Sequence, residues 1–186
     1  MNKESGTMIN SIKLNLDTIE AMLYFWSAVN DRENVSEMFI YDLTVMPGLT
    51  LAYDENFTEE SVRRALSAIK NREIFSRNSR EEGRFYNNNL WMMEDLEYTN
   101  LMVTPIKKLN LDFLLETLNS KFSESKYTEL EVYFSPLHVE EYLIKENKLI
   151  INFFRVKPSD FDDNTFIGDK ELKAYIQEKL EELLSK

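Results

Sequence analysis

The 186-residue chain is 43% hydrophobic and 30% charged, with 4 Gly, 4 Pro and no Cys. That composition excludes collagen-like, low-complexity and disulfide-stapled classes, and with them cysteine nucleophiles, thiolate zinc sites and iron–sulfur clusters within the chain. Its 22 basic and 33 acidic residues leave a net charge of −11, a field that repels phosphate backbones and anionic lipid and favours a basic partner.

The first seven residues are expected to be loose. Asp17 is placed to cap a helix whose apolar positions Ile19, Met22, Leu23, Phe25, Trp26 and Val29 recur at helical spacing. From Met38 to Tyr53 the pattern reads as period two, with Phe39, Tyr41, Leu43 and Val45 on one face and Pro47-Gly48 at the break, which predicts a hairpin. Thr58 followed by Glu59 and Glu60 predicts a helix start, with Val62, Leu66 and Ile69 turned inward. Residues 72–90, with Arg-Asn-Ser-Arg-Glu-Glu-Gly and three consecutive Asn, predict a long irregular loop.

Glu97–Val103 reads as a strand interrupted by Pro105, and Asn110 is placed to cap a helix burying Phe113, Leu114 and Leu118. A strand follows at Glu129–Phe134. Two apolar runs, Tyr142–Ile144 and Leu149–Val156, flank the polar Lys145-Glu-Asn-Lys148 and form the firmest predicted hairpin. Leu172, Tyr175, Ile176, Leu180, Leu183 and Leu184 share a face of a C-terminal helix starting near Asp169. The element order predicts an α+β fold in one domain spanning 1–186, a mixed or mostly antiparallel sheet packed with about four helices. No membrane-spanning run and no signal peptide are expected, which places the chain in the cytoplasm; Asn, Lys and Ile usage suggests a bacterial source.

Arginine is concentrated in one place. Of the eight arginines, six fall between Arg63 and Arg84, where seven basic residues against three acidic give +4 and leave −15 for the remainder. Guanidinium forks bind carboxylate and phosphate bidentately, so Arg72, Arg77, Arg80 and Arg84, with Tyr86 beside them, are candidates for an anion- or partner-binding patch. The competing reading is a solvated face whose arginines pair with the chain's own carboxylates at little net gain. The neighbouring Leu90-Trp91-Met92-Met93 is either core or an exposed anchor for a protein partner.

A second candidate is a calcium-type loop. Asp160, Asp162, Asn164 and Glu171 occupy its ligand positions one, three, five and twelve, but Thr165 stands where Gly is required and a strand precedes the loop. The ordinary alternative is an acidic turn with Asp169 capping the last helix. The sole histidine, His138, lies near Glu140 and could serve as a base or ligand, or be structural. No nucleotide, zinc-protease or nucleophile-elbow motif is present, no catalytic residue is assigned and no cofactor is expected.

Three functions remain open. The first is a non-enzymatic protein-binding module: an adaptor, an immunity-type inhibitor of a basic target, or an assembly subunit. The second is a metal-dependent hydrolase or small-anion enzyme using Asp160, Asp162 and His138 or Glu140. The third is self-association through the arginine patch. General nucleic-acid and membrane binding are disfavoured by charge.

Overall fold

A computed structural model describes residues 7–186. Most of the expected loose N-terminal stretch lies outside the described residues; Thr7 itself forms a bridge with Ser125. The fold is α+β. A four-stranded mixed sheet has the order β1 (Ser11–Asn15), β2 (Glu129–Ser135), β4 (Lys148–Asn152) and β3 (Tyr142–Lys145), and β5 (Val156–Pro158), β6 (Thr165–Ile167) and β7 (Lys170–Glu171) form a small antiparallel sheet. Strands β1, β2 and β4 run parallel and β3 closes antiparallel on β4, with Ile144 opposite Leu149.

Between β1 and β2 the chain makes seven helices: α1 (Asp17–Asn30), α2 (Glu37–Thr44), α3 (Pro47–Thr50), α4 (Glu59–Asn71), α5 (Arg80–Glu94), α6 (Leu96–Lys107) and α7 (Leu114–Lys121). An eighth, α8 (Leu172–Leu184), ends the chain, so the described residues hold eight helices where about four are expected from the sequence. Their starts are chemically explicit. Thr58 and Ser61 cap α4 reciprocally: the Thr58 amide donates to Ser61 Oγ at 3.0 Å and the Ser61 amide to Thr58 Oγ1. Ser36, Ser79 and Asp95 accept the amides of Phe39, Glu82 and Tyr98 to start α2, α5 and α6.

Three expectations are corrected. The predicted hairpin at Met38–Tyr53 is α2 followed by α3, because Pro47 begins a helical turn, its missing N–H being one of the orphans of a helix start. The strand read at Glu97–Val103 is α6, which carries Pro105 near its end. The irregular stretch stops at Ser79, and the Asn-rich segment is the body of α5. Asn89 turns fully inward there, accepting from Trp26 Nε1 at 2.9 Å and donating to the Phe85 carbonyl at 2.8 Å. The expected strands β2, β3 and β4 and helices α1, α4 and α8 stand.

Strand β2 is buried on both faces from Val132 to Ser135 and on one face before that. Leu130, Val132 and Phe134 join Leu149 and Ile151 of β4 in the main core, which also holds Trp26, Phe57, Phe85, Phe153 and the inward side of α8. On the other face Tyr133, Leu137 and Ile150 pack with Ala52. A strand buried on both sides reads as a continuous apolar run, as Leu149–Ile151 of β4 does, whereas β2 is legible by the alternation of Leu130 and Val132 with Glu129 and Glu131. No helix among the described residues is long and apolar enough to cross a membrane.

Helix α3 fits against α1 and β2 only because position 48 has no side chain. A Cβ on Gly48 would lie 2.4 Å from Thr18 Oγ1, 2.8 Å from Thr18 Cβ and 3.1 Å from Ser135 Oγ. Gly48→Ala is expected to cost about 2 kcal/mol, roughly 4–8 °C in Tm, by overpacking. Thermal unfolding checks this, and adding Thr18→Ala, which removes the nearest atom, recovers part of the loss.

Candidate functional site

The arginine-rich segment is largely spent on the protein's own structure. Arg64 Nη1 reaches both oxygens of Glu82, at 2.8 and 3.0 Å, and its guanidinium lies over the Phe75 ring at 5.2 Å. Glu82 is only 5% exposed and also accepts from Ser61 Oγ at 2.6 Å and the Asn78 amide at 2.8 Å. Burial by itself raises the Glu82 carboxyl pKa, but these three donors outweigh it and hold the group below its ordinary value. Arg63 pairs with Glu60 on the surface of α4, and Lys70 with Glu37 at 2.9 Å.

The five residues proposed from sequence as one patch fall in two places, Arg77, Arg80 and Arg84 at the first turns of α5 and Arg72 with Tyr86 in a groove farther along it. Arg84 leaves α5 for the β2–β3 connection, donating to the His138 carbonyl at 3.0 Å and pairing with Glu140 at 3.1 Å. Arg77 folds over the first turn of α5, its Cδ occupying the space a side chain on Gly83 would take. Arg80 stands at the start of α5. Among the described residues Arg72, Arg77 and Arg80 make no salt bridge, and Arg72 and Tyr86 line one groove.

They meet in a groove of about 350 Å³ between the C-terminal ends of α1, α4 and α5, lined by Val29, Ile69, Arg72, Tyr86, Leu90 and Met93. Tyr86, Leu90 and Met93 share one face of α5 at helical spacing. Tyr86 is held by stacking on Phe75 with ring centroids 4.8 Å apart, and Arg72 is presented by the left-handed turn (φ 56°) that ends α4. Next to Leu90, Trp91 is 63% exposed, and Ile74, following the groove residue Glu73, is almost wholly exposed. Of the Trp-Met-Met run, Met92 is buried, Met93 lies in the groove and Trp91 faces water. An apolar side chain of that size kept in solvent is the signal to which hydrophobic periodicity, tuned to buried faces, is blind.

His138 is a buried residue, 2% exposed, stacked on Phe57 with centroids 4.2 Å apart; its Nε2 lies 2.7 Å from Asp54 Oδ2. The Asp54 carboxyl is held below its ordinary value: burial opposes this, while His138 and the Asn56 and Phe57 amides enforce it. Glu140 turns away to Arg84 and Arg155, so His138 and Glu140 do not form a pair.

Asp160, Asp162 and Asn164 occupy the β5–β6 turn, closed by Ser159 N to the Asn164 carbonyl at 2.8 Å and by Asn164 N to Asp162 Oδ1 at 2.9 Å. Where a calcium loop would continue to its twelfth position, the chain forms β6, turns at Gly168 and pairs β7 back onto it. Glu171 is thereby used as the cap of α8, accepting from the Ala174 amide, the role expected of Asp169. Among the described residues no group of three or more Asp, Glu or His side chains is arranged to hold a metal ion. A comparison with protein-family models, characterised proteins and solved structures finds no match for the chain.

Proposed function

We propose that the chain is a non-catalytic protein-binding module, an adaptor, inhibitor or assembly subunit, that takes a basic partner and anchors it at the groove between α1, α4 and α5. The observations that support this reading are two sides of helix α5: Trp91 is 63% exposed on one, and on another Tyr86, Leu90 and Met93 line an apolar groove edged by Arg72, which makes no salt bridge among the described residues. Trp, Tyr, Met and Arg are the residues that concentrate at the centres of protein interfaces, where a few buried anchors supply most of the affinity. The net charge of −11 supplies the complementary long-range term, raising the association rate with a basic partner without any catalytic group.

Affinity capture with the wild-type chain and with Trp91→Ala, followed by titration of the captured protein, tests the reading. Trp91→Ala is expected to weaken binding by about 2 kcal/mol, roughly thirtyfold, with an unchanged Tm because the side chain is exposed. Raising the salt concentration is expected to slow association. Equal affinity of the two chains for every captured protein would overturn the proposal.

A further inference from the structure

Residues 14–62 contain ten carboxylates and a single cation, Arg32, so this quarter of the chain carries −9 of the total −11. Four of the ten are engaged internally, Glu37 with Lys70, Asp54 with His138, Glu60 with Arg63, and Glu59 accepting from Thr44 Oγ1 at 3.4 Å. Asp17, Glu20 and Asp31 on the solvent side of α1, and Asp42 on that of α2, are exposed and make no salt bridge among the described residues.

The same surface exposes apolar groups in an ordered way. Met38 (68% exposed), Tyr41 (52%) and Val45 lie at i, i+3 and i+7, which puts them on one side of α2, opposite the buried Ile40, Leu43 and Thr44. Helix α2 is therefore apolar on both sides. On α1 the exposed Tyr24 meets Phe39 of α2 edge to face, with ring centroids 5.2 Å apart, so the two helices present one continuous surface.

We infer that this α1–α2 face is a docking surface for a cationic amphipathic segment of a partner protein, its apolar side chains seated on Met38, Tyr41 and Val45 and its lysines or arginines on Asp17, Glu20, Asp31 and Asp42. Charge complementarity selects the occupant. The same face of a second copy would bring like charge against like, and Arg63 and Lys70 of α4 are already paired. Nucleic acid and anionic lipid are repelled for the same reason. A segment with charge and no apolar side would leave the α2 stripe in water, and one with an apolar side and no charge would desolvate unpaired carboxylates. The surface shares no residue with the groove of Arg72 and Tyr86 and does not include Trp91, and the inference stands independently of that reading.

The probe is a synthetic Lys/Leu helical peptide of roughly 14 residues, about four turns, titrated into the full chain with amide NMR shifts and fluorescence anisotropy as readouts. Shifts are expected to concentrate in Asp17–Asp31 and Glu37–Val45. Tyr41→Lys, and separately Glu20→Lys with Asp42→Lys, are expected to weaken binding at least tenfold, Trp91→Ala to leave it unchanged, and a Glu/Leu peptide of the same pattern not to bind. All of these positions are exposed, so the variants fold as the parent does. Shifts centred on Tyr86–Met93 would overturn the inference while sparing the groove reading. Equal binding of the Glu/Leu peptide, an unaffected Tyr41→Lys, or a peptide-free doubling of mass abolished by Tyr41→Lys would each overturn it as well.

Discussion

Glu82→Gln is expected to destabilise the chain by about 2–3 kcal/mol, less than the roughly 3–5 kcal/mol of a fully buried broken ion pair, because Arg64 keeps some solvent access. In a domain of this size that is a Tm loss of roughly 5–10 °C. Glutamine matches the shape of glutamate, so the loss reports charge and hydrogen bonding and not a cavity. Its amide nitrogen is a donor placed among the donors of Ser61, Asn78 and Arg64. The effect reaches further than one residue, because this carboxylate joins α4, the 72–79 segment and α5, which line the groove together with α1. The pH dependence has a defined sign. A carboxyl whose folded-state value lies below its unfolded one contributes stability above the unfolded value of about 4.3 and loses it as pH falls through the folded value. The advantage of wild type over Glu82→Gln is thus expected to be full near neutrality and to shrink progressively below about pH 4. Chemical denaturation of both chains from neutral to acid pH measures it; a constant difference across that range would refute the assignment.

Asn152→Ala is expected to cost more, about 3–4 kcal/mol. Asn152 is almost completely buried, and its side chain holds four backbone groups: Oδ1 accepts from the Leu137 and Phe154 amides, and Nδ2 donates to the Val139 carbonyl at 2.8 Å and the Glu140 carbonyl at 3.4 Å. One residue at the end of β4 therefore fixes the path of residues 137–140, and with it the placement of His138 against Phe57 and Asp54. Truncation orphans buried backbone groups, each at about 1–3 kcal/mol, and leaves a void. Asn152→Asp is a sharper probe: it keeps both acceptor bonds, loses both donated ones and points charge at two carbonyls. Both variants are expected to lower Tm by roughly 10 °C. A loss below about 1 kcal/mol for Asn152→Ala would show that solvent replaces the clamp.

What could be read from the sequence divides along a physical line. Strand β4 is apolar on both sides through Leu149–Ile151, and strand β2 and helices α1, α4 and α8 carry a continuous apolar face, so their patterns survive in the sequence. Helix α2 was hidden by the trait that makes it interesting. With Met38, Tyr41 and Val45 outward and Ile40 and Leu43 inward, its apolar residues fall at nearly every other position and mimic a strand. Helix α5 was hidden because Asn89 is a core residue there, bonded to Trp26 Nε1 across 63 positions, a tertiary partner no local rule supplies. The five-residue β1 offers only Ile12 and Leu14 as apolar marks and takes its place from pairing with β2. The arginine cluster was visible, but the internal pairing of Arg64 and Arg84 was not, since Glu82 and Glu140 reach them only through folding. Trp91 was visible as an aromatic, but its exposure was not.

The pairing of β1 with β2 also sets an order of events during synthesis. Ser11 lies opposite Glu129, 118 residues later in the chain. At roughly 5–20 residues per second, a ribosome needs about 6–24 s to supply the partner. In that interval α1, α2, α4 and α5 can consolidate against one another while Ile12 and Leu14 have no strand beside them. The first strand made is thus among the last to be seated, and a chain halted before Glu129 would leave Ser11–Asn15 as an open edge, available to the same segment of another unfinished copy.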